Sequence, residues 1–195
     1  MRSYLPFILL SCLLAPACAG GEEETGGDTA APAVASTEWY IGTSDGQTPD
    51  GSYVAPTEEV LFIRALDPDA STVTEQAWTV GEQGVTAYEL VHDVDAAAGT
   101  FTSTFVTDEG TMLVEGAYDA GAAWAWTAWH STSIYQDGEY QGIRVESQDH
   151  VEDSGVAIAE KLVYDATDTL TYEIVEELTP VLQEDFETRL AEVGG

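Results

Sequence analysis

From residue 60 onward, the chain alternates apolar and polar positions in short stretches that are separated by turn-forming residues. Eight such stretches cover residues 60–66, 86–92, 100–107, 111–118, 123–130, 141–148, 156–164 and 169–177. Alternation with period 2 is typical of strands that bury one face and wet the other. The segments between them are rich in Asp, Gly and Ser, as in Asp108-Glu109-Gly110 and Asp137-Gly138, and they are too short for crossover helices. Neighbouring strands are therefore predicted to be antiparallel.

This pattern predicts an all-β fold, an antiparallel up-and-down meander that closes into a barrel; a two-sheet β-sandwich is the alternative. Closure would remove the exposed sheet edges that promote aggregation. A first strand is expected at Trp39, before a loop that reaches Pro56. At the other end, Thr179-Pro180 fits an N-cap and a first helical position. Apolar residues then recur every four positions, which predicts one C-terminal amphipathic helix.

Alternation also assigns side chains to the two faces of the predicted sheet. The outer face is predicted to carry, among others, Arg144, Lys161 and Trp129. The predicted inward residues are Tyr88, Leu90, His92, Phe101, Phe105, Met112, Val114, Tyr118, Trp124, Trp126, His130, Ile143, Val145, Ile158, Leu162, Tyr164, Leu170, Tyr172 and Ile174.

The N-terminus has the order of an export signal. Arg2 is followed by a short apolar run over residues 4–14 and by the small residues Ala15-Pro16-Ala17. The apolar run is far shorter than the roughly 20 residues that cross a bilayer as a helix. We therefore expect residues 1–17 to be a signal peptide.

Cys18 directly after Ala17 resembles the lipobox of bacterial lipoproteins. The resemblance implies diacylation of the Cys18 sulfur, cleavage just before it and, with Ala19 next, an outer membrane lipoprotein of the bacterial cell envelope. A second candidate is Leu9-Leu10-Ser11-Cys12. Ordinary cleavage at either A-x-A sequence is the alternative, and it would give a soluble secreted or periplasmic protein.

Residues 18–36 are predicted to be a disordered acidic tether after the lipidated cysteine, and residues 37–195 a single β-barrel-like domain. The tether has almost no apolar side chain to offset the backbone entropy of folding, about 1 kcal/mol per residue. Both cysteines precede the domain, so it contains neither a disulfide nor a thiolate metal site.

The chain has 36 acidic and 5 basic residues. Nucleic acid needs a basic footprint, so we expect no nucleic-acid partner. The acidity is interpreted as a solvated surface, and the alternative is attraction of cations or basic partners.

Trp39-Tyr40 before a run of short-turn strands and a closing helix resembles the lipocalin-like or calycin barrels. That resemblance implies an internal pocket for a small apolar ligand. The densest aromatic segment runs from Trp124 to Trp129, and the candidate ligand-binding residues are Trp124, Trp126, His130, Tyr88 and His92.

The sequence contains no Gly-x-Ser-x-Gly elbow, no His-Glu-x-x-His pair, no phosphate loop and no dinucleotide fingerprint. We therefore expect no catalytic residue, no metal site and no cofactor, although His92 and His130 on one inner face could in principle bind a metal or haem. Hydrogen-bonded histidines are the more common case.

The sequence favours an envelope-anchored lipoprotein whose non-catalytic β-domain binds a small apolar ligand or a protein partner. One alternative is a hydrolase or isomerase that uses Glu160, Glu173 or Glu176 with His130 at a barrel mouth. The other is a structural envelope protein with a dry core.

Overall fold

The computed structural model describes residues 34–107, 109–118, 124 and 127–194. They form ten strands and one helix. The elements are β1 Ser36–Gln47, β2 Glu58–Asp67, β3 Thr72–Gly81, β4 Gly84–Asp95, β5 Thr100–Thr107, β6 Gly110–Tyr118, β7 Ala128–Tyr135, β8 Arg144–Val151, β9 Ala157–Tyr164, β10 Leu170–Pro180 and α1 Gln183–Val193.

Each strand pairs with its neighbour in sequence, and β10 returns to pair with β1, so the sheet is a closed antiparallel up-and-down barrel. Closure brings the backbones of β1 and β10 close together at Gly42. A Cβ atom there would lie 1.8 Å from the carbonyl oxygen of Glu177. The predicted barrel is therefore confirmed, and the sandwich alternative is not adopted.

The ladder is weakest between β4 and β5, where only three residue pairs are in register, from Asp93↔Thr102 to Asp95↔Thr100. Toward the other end of the barrel, the rings of Tyr88 and Phe105 meet across the two strands at 6.3 Å. Side chains thus fill the barrel wall where backbone hydrogen bonds do not.

An apolar core occupies the interior beside β4, β5, β6 and β7. Phe101 lies at its centre, stacked on Tyr118 at 5.9 Å and packed edge-on against His92 at 5.0 Å. Gly116 makes room for it, because a Cβ atom there would lie 2.2 Å from the Phe101 ring. The other buried members are Leu66, Val73, Leu90, Val94, Met112, Val114 and Trp129.

The helix α1 lies against the outer wall of the barrel at β1, β2 and β3. Phe186 is 1 % exposed and meets the ring of Trp78 at 5.9 Å. The Arg189 guanidinium donates two hydrogen bonds to the Glu59 carboxylate, at 2.8 and 2.7 Å. The amphipathic helix is confirmed, but its predicted start is wrong: Thr179 and Pro180 belong to β10, and the N-cap is Leu182.

The predicted strands differ from the structure at β3, β7, β8 and β9. No strand is predicted at β3, because Glu75 stands at an inner position and interrupts its apolar alternation. The strand predicted over residues 141–148 is β8, which spans Arg144–Val151. The strand predicted over residues 123–130 is β7, which spans Ala128–Tyr135. Its inner residues beyond Trp129 include Ser131 and Ser133, whose polarity masks the buried face.

The two faces of β9 are the reverse of those predicted. Lys161 is 1 % exposed and lies inside the barrel, with Ala157, Ala159 and Val163. The residues predicted to point inward, Ile158, Leu162 and Tyr164, therefore lie on the outer wall, with Glu160 exposed among them. An ion pair inside the barrel, described below, explains why a lysine occupies the inner face.

Candidate functional site inside the barrel

Six acidic or basic side chains lie buried inside the barrel, and two of them contact the apolar core, His92 at Phe101 and Arg64 at Trp129. They come from six different strands, so the closed sheet, and not a local motif, brings them together. They are Arg64, Glu75, His92, Asp149, Lys161 and Glu176.

Arg64 of β2 is the centre of one group. Its guanidinium donates to Glu38 at 3.3 Å, and its Nε lies 3.8 Å from Glu75. The guanidinium carbon also lies 4.4 Å from the centre of the Trp129 ring, a cation–π contact that is strong when water is excluded. Both carboxylates and an aromatic face therefore compensate the buried charge of Arg64.

The same group continues to β4 and β5 through a histidine. His92 Nε2 lies 3.4 Å from Glu75, and His92 Nδ1 shares a hydrogen bond with the Ser103 hydroxyl at 3.2 Å. Burial raises the pKa of Glu75, but the hydrogen bond to His92 and the charges of His92, Arg64 and Lys161 outweigh it, so the pKa is lowered overall. Glu75 is therefore the ionised member of the group.

Lys161 of β9 forms the second pair, with its Nζ 2.6 Å from the Glu176 carboxylate of β10. This pairing holds a lysine at an inner position, because an ammonium group without a counter-ion would be strongly destabilising there. The reversed orientation of β9 follows from it.

Among these six side chains, Asp149 of β8 has the weakest stabilising contacts for its charged form. It is 2 % exposed, and the Ser147 hydroxyl donates to its carboxyl group at 3.5 Å, a long hydrogen bond. Burial raises the pKa of Asp149 well above its ordinary value of 3.8, with Glu75 and Glu176 adding to the rise and Lys161 and Arg64 opposing it. Asp149 is thus the interior carboxyl that resists ionisation.

These groups surround a cavity of about 30 Å³. Arg64, Glu75, Asp149 and Glu176 line it, together with the rings of Tyr88 and Trp129 among others. A volume of this size holds about two water molecules. A larger hollow of about 280 Å³ lies beside the β2–β3 and β4–β5 turns, but it is shallow and open to solvent.

The structure places the predicted site residues in different parts of the molecule. Tyr88 lines the cavity, His92 belongs to the ionic group, and Trp124 packs against the apolar core. Trp126 and Cys18 lie outside the described residues. The inner face predicted for His130 is wrong: His130 alternates with the buried Trp129 and Ser131 and therefore faces outward, while Trp129 lies inside.

The carboxylates of the proposed hydrolase are also separated. Glu160 is exposed on the outer wall, Glu176 is paired with Lys161 inside, and His130 lies on the outer wall. His130 and Glu160 are both paired with Gln148, so a whole strand separates them. The barrel therefore does not assemble these groups around one reacting position.

Five interior residues were not predicted from the sequence: Arg64, Glu75, Asp149, Lys161 and Glu176. One signal was available: Glu75 and Lys161 each occupy the same face as small or apolar neighbours two positions away, such as Ala77 and Val163. Alternation counted by hydropathy alone assigns such residues to the solvent face.

Among the residues that the structure describes, no group of three or more His, Cys, Asp or Glu side chains could hold a metal ion. Within the same residues, no helix is long and apolar enough to cross a bilayer.

Comparisons with known proteins do not assign the chain to a family. No family model matches it, and no curated protein matches it. Among solved structures, a TesB protein of Mycobacterium avium subspecies paratuberculosis is 7 % identical over 74 % of this chain and 79 % of that chain, with a TM-score of 0.22. A similarity this low carries no functional argument.

Proposed function

We propose that the chain is an outer membrane lipoprotein, anchored through acylated Cys18, whose barrel is a non-catalytic binding domain for an envelope protein. Residues 18–36 would serve as the tether between the membrane and the domain. The export signal, the Cys18 context and the acidic, apolar-poor tether support this assignment.

The size of the interior cavity favours an external partner over an internal ligand. Small-molecule pockets usually measure about 300–1,000 Å³, whereas the cavity among the interior ionic groups measures about 30 Å³. The barrel's own side chains, including the aromatic rings of Tyr88 and Trp129, occupy the space that an apolar ligand would need. The outer surface is therefore the favoured place for binding.

The distribution of charge supports the same choice. The described residues contain four of the five basic side chains, and Arg64 and Lys161 are buried. Of the other two, Arg144 pairs with Glu146 and Asp168, and Arg189 with Glu59 and Glu192. The outer surface is left strongly anionic, which favours basic partners and disfavours nucleic acid and anionic lipid.

Mass spectrometry of the protein purified from its native membrane tests the proposal. We expect a mature chain that begins at diacylated Cys18, and no small molecule bound at one per chain. A Cys18→Ser variant should appear in the soluble fraction. A free Cys18 thiol on the native protein would overturn the anchor, and a stoichiometric bound ligand would overturn the external binding mode.

A further inference from the structure

The outer wall of β9 carries a stripe of apolar side chains that the barrel does not need for its own core. Ile158, Leu162 and Tyr164 form this β9 stripe, and Val175 of β10, 48 % exposed, extends it. Val175 is paired with Glu160, so it lies directly beside the gap between Ile158 and Leu162. Single apolar residues are ordinary on a protein surface, but the half-buried Ile158, Leu162 and Tyr164 share one outer face with the exposed Val175, and a group of this kind favours a contact surface.

Acidic side chains border the stripe on both neighbouring strands. Leu162 lies between Glu146 of β8 and Glu173 of β10. Ile158 lies beside Glu177 of β10, and Glu160 interrupts the stripe itself. Arg144 is the basic residue of this wall, and it is held over the Tyr164 ring at 4.1 Å and paired with Asp168. The β10 border of the stripe is therefore acidic. The β8 border is mixed, because Glu146 lies there with Arg144, Gln148 and His150.

The barrel itself shows how a wall of this composition is covered. Over β2 and β3, the amphipathic helix α1 places Phe186 on Trp78 and aims Arg189 at Glu59 with two hydrogen bonds. Leu61, on the outer face of the same wall, is fully buried. One short segment thus covers this wall, with an apolar residue packed on its apolar side chains and a basic residue paired with its carboxylate.

From this correspondence we infer that the β9 stripe is the docking surface for an amphipathic, basic segment of the envelope protein that the proposed function requires. Apolar side chains of the partner would cover Ile158 and Leu162, and its lysines or arginines would pair with Glu146, Glu160, Glu173 and Glu177. The inference rests on the proposed function and specifies its partner.

The fold restricts how this partner binds. β9 is hydrogen-bonded on both sides, to β8 and β10, so the partner cannot add a strand to an open edge and must pack on the face of the sheet. A second copy of this chain would bring like charges together around the stripe, which is unfavourable. An anionic lipid surface is disfavoured for the same reason.

A defined peptide can test the surface without knowledge of the natural partner. The probe is a fluorescein-labelled peptide of alternating leucine and lysine, and the control probe replaces each leucine with serine and keeps the charge. Binding to the full chain carrying Cys18→Ser is measured by fluorescence anisotropy. We expect the leucine peptide to bind at least about tenfold more tightly than the serine peptide.

Two variants then locate the contact. Ile158→Ser with Leu162→Ser should weaken binding of the leucine peptide about tenfold or more. The matched control is Val91→Ser with Val106→Ser, which changes two exposed valines of β4 and β5 and should alter the Kd less than about twofold. Circular dichroism spectra of both variants should match that of the parent, because all four side chains point away from the barrel interior.

Three results would overturn the inference. The first is equal binding of the leucine peptide to the stripe variant and the parent. The second is an equal loss in the control variant. The third is a dimer of the parent chain in sedimentation that the stripe variant abolishes, which would make a second copy the occupant. None of these results affects acylation of Cys18, which is measured separately by mass, so failure of the surface and failure of the anchor are distinguishable.

Discussion

Two outer walls of the barrel both carry apolar and acidic side chains, and the helix α1 packs on one of them. Over β1, β2 and β3, Leu61 and Trp78 are covered by α1, with Phe186 buried between helix and sheet. Over β8, β9 and β10, the outer residues Ile158 and Leu162 are half-buried, and Val175 is 48 % exposed. The difference predicts that the apolar outer residues under α1 contribute to the stability of the fold, and that those of the β9 stripe contribute little to it.

The interior explains why the second wall carries apolar residues at all. A strand has two faces, and Lys161 occupies the inner one because Glu176 pairs with it. With Lys161 inside, Leu162 must point outward. We therefore expect substitutions in the wall under α1 to lower the free energy of unfolding. Substitutions in the β9 wall should change that free energy little and should weaken binding of the proposed partner.

Removal of the Phe186 side chain should give the largest loss. Phe186→Ala deletes a fully buried ring between α1 and Trp78, and such substitutions cost about 3–5 kcal/mol. The free energy of unfolding in urea measures the loss. A loss below about 1 kcal/mol would show that α1 is only loosely docked. It would contradict the expected difference in stability between the wall under α1 and the β9 wall.

Breaking the interior ion pair should cost nearly as much. Lys161→Met leaves Glu176 buried without its counter-ion, which is expected to cost about 3 kcal/mol. Adding Glu176→Gln should recover part of this loss, because the unpaired charge is then removed. If the double variant were no more stable than Lys161→Met, the pair would not be what holds β9 in its orientation.

Two of the interior carboxyl groups, Asp149 and Glu75, should respond to pH in opposite directions. The folded-state pKa of Asp149 is raised, so its contribution to stability is full below its unfolded value near 3.8 and falls as pH rises toward the folded value. The folded-state pKa of Glu75 is lowered, so its contribution is full above its unfolded value and is lost as pH falls through the folded value.

Asp149→Asn should therefore raise the free energy of unfolding at pH 7, because the neutral amide removes the unfavourable burial of an ionisable carboxyl group. The gain should disappear below pH 4. Glu75→Gln serves as the matched comparison and should be less stable than the parent at pH 7. Urea unfolding across pH 3–8 checks both, and a destabilised Asp149→Asn at pH 7 would contradict the assignment.

The smallest effect is expected on the uncovered wall. Leu162→Ala removes an apolar side chain from the β9 stripe, and surface substitutions of this kind change stability by less than about 0.5 kcal/mol. Phe186→Ala, measured beside it, supplies the contrast. Similar losses in the two variants would mean that the β9 wall belongs to the core of the protein.

Much of the fold follows from the sequence, because turns and alternation are local. The meander, its closure, the terminal helix and inner residues such as Leu90, Phe101 and Val114 are confirmed. Those strands bury apolar side chains and expose polar ones, as hydropathy assumes.

The interior ionic residues could not be predicted, because their ion pairs join strands that meet only when the barrel folds. Arg64 meets Glu75 on the next strand, and Lys161 meets Glu176 across β9 and β10. Periodicity carries no information about such partners, so Lys161 was assigned to the surface and His130 to the interior. The aromatic run also attracted a strand prediction that began at residue 123, whereas the hydroxyl-rich segment after Trp129 forms most of β7.

The orientation of β9 places Lys161 inside the barrel, beside Glu176, and puts the β9 stripe on the outer wall. Lys161 is the only lysine of the chain, so an amine-reactive acetylating reagent followed by peptide mass spectrometry reports on this position alone among the side chains. The account predicts that Lys161 stays unmodified in the folded protein and is acetylated completely in urea. Rapid acetylation of Lys161 in the folded protein would contradict it.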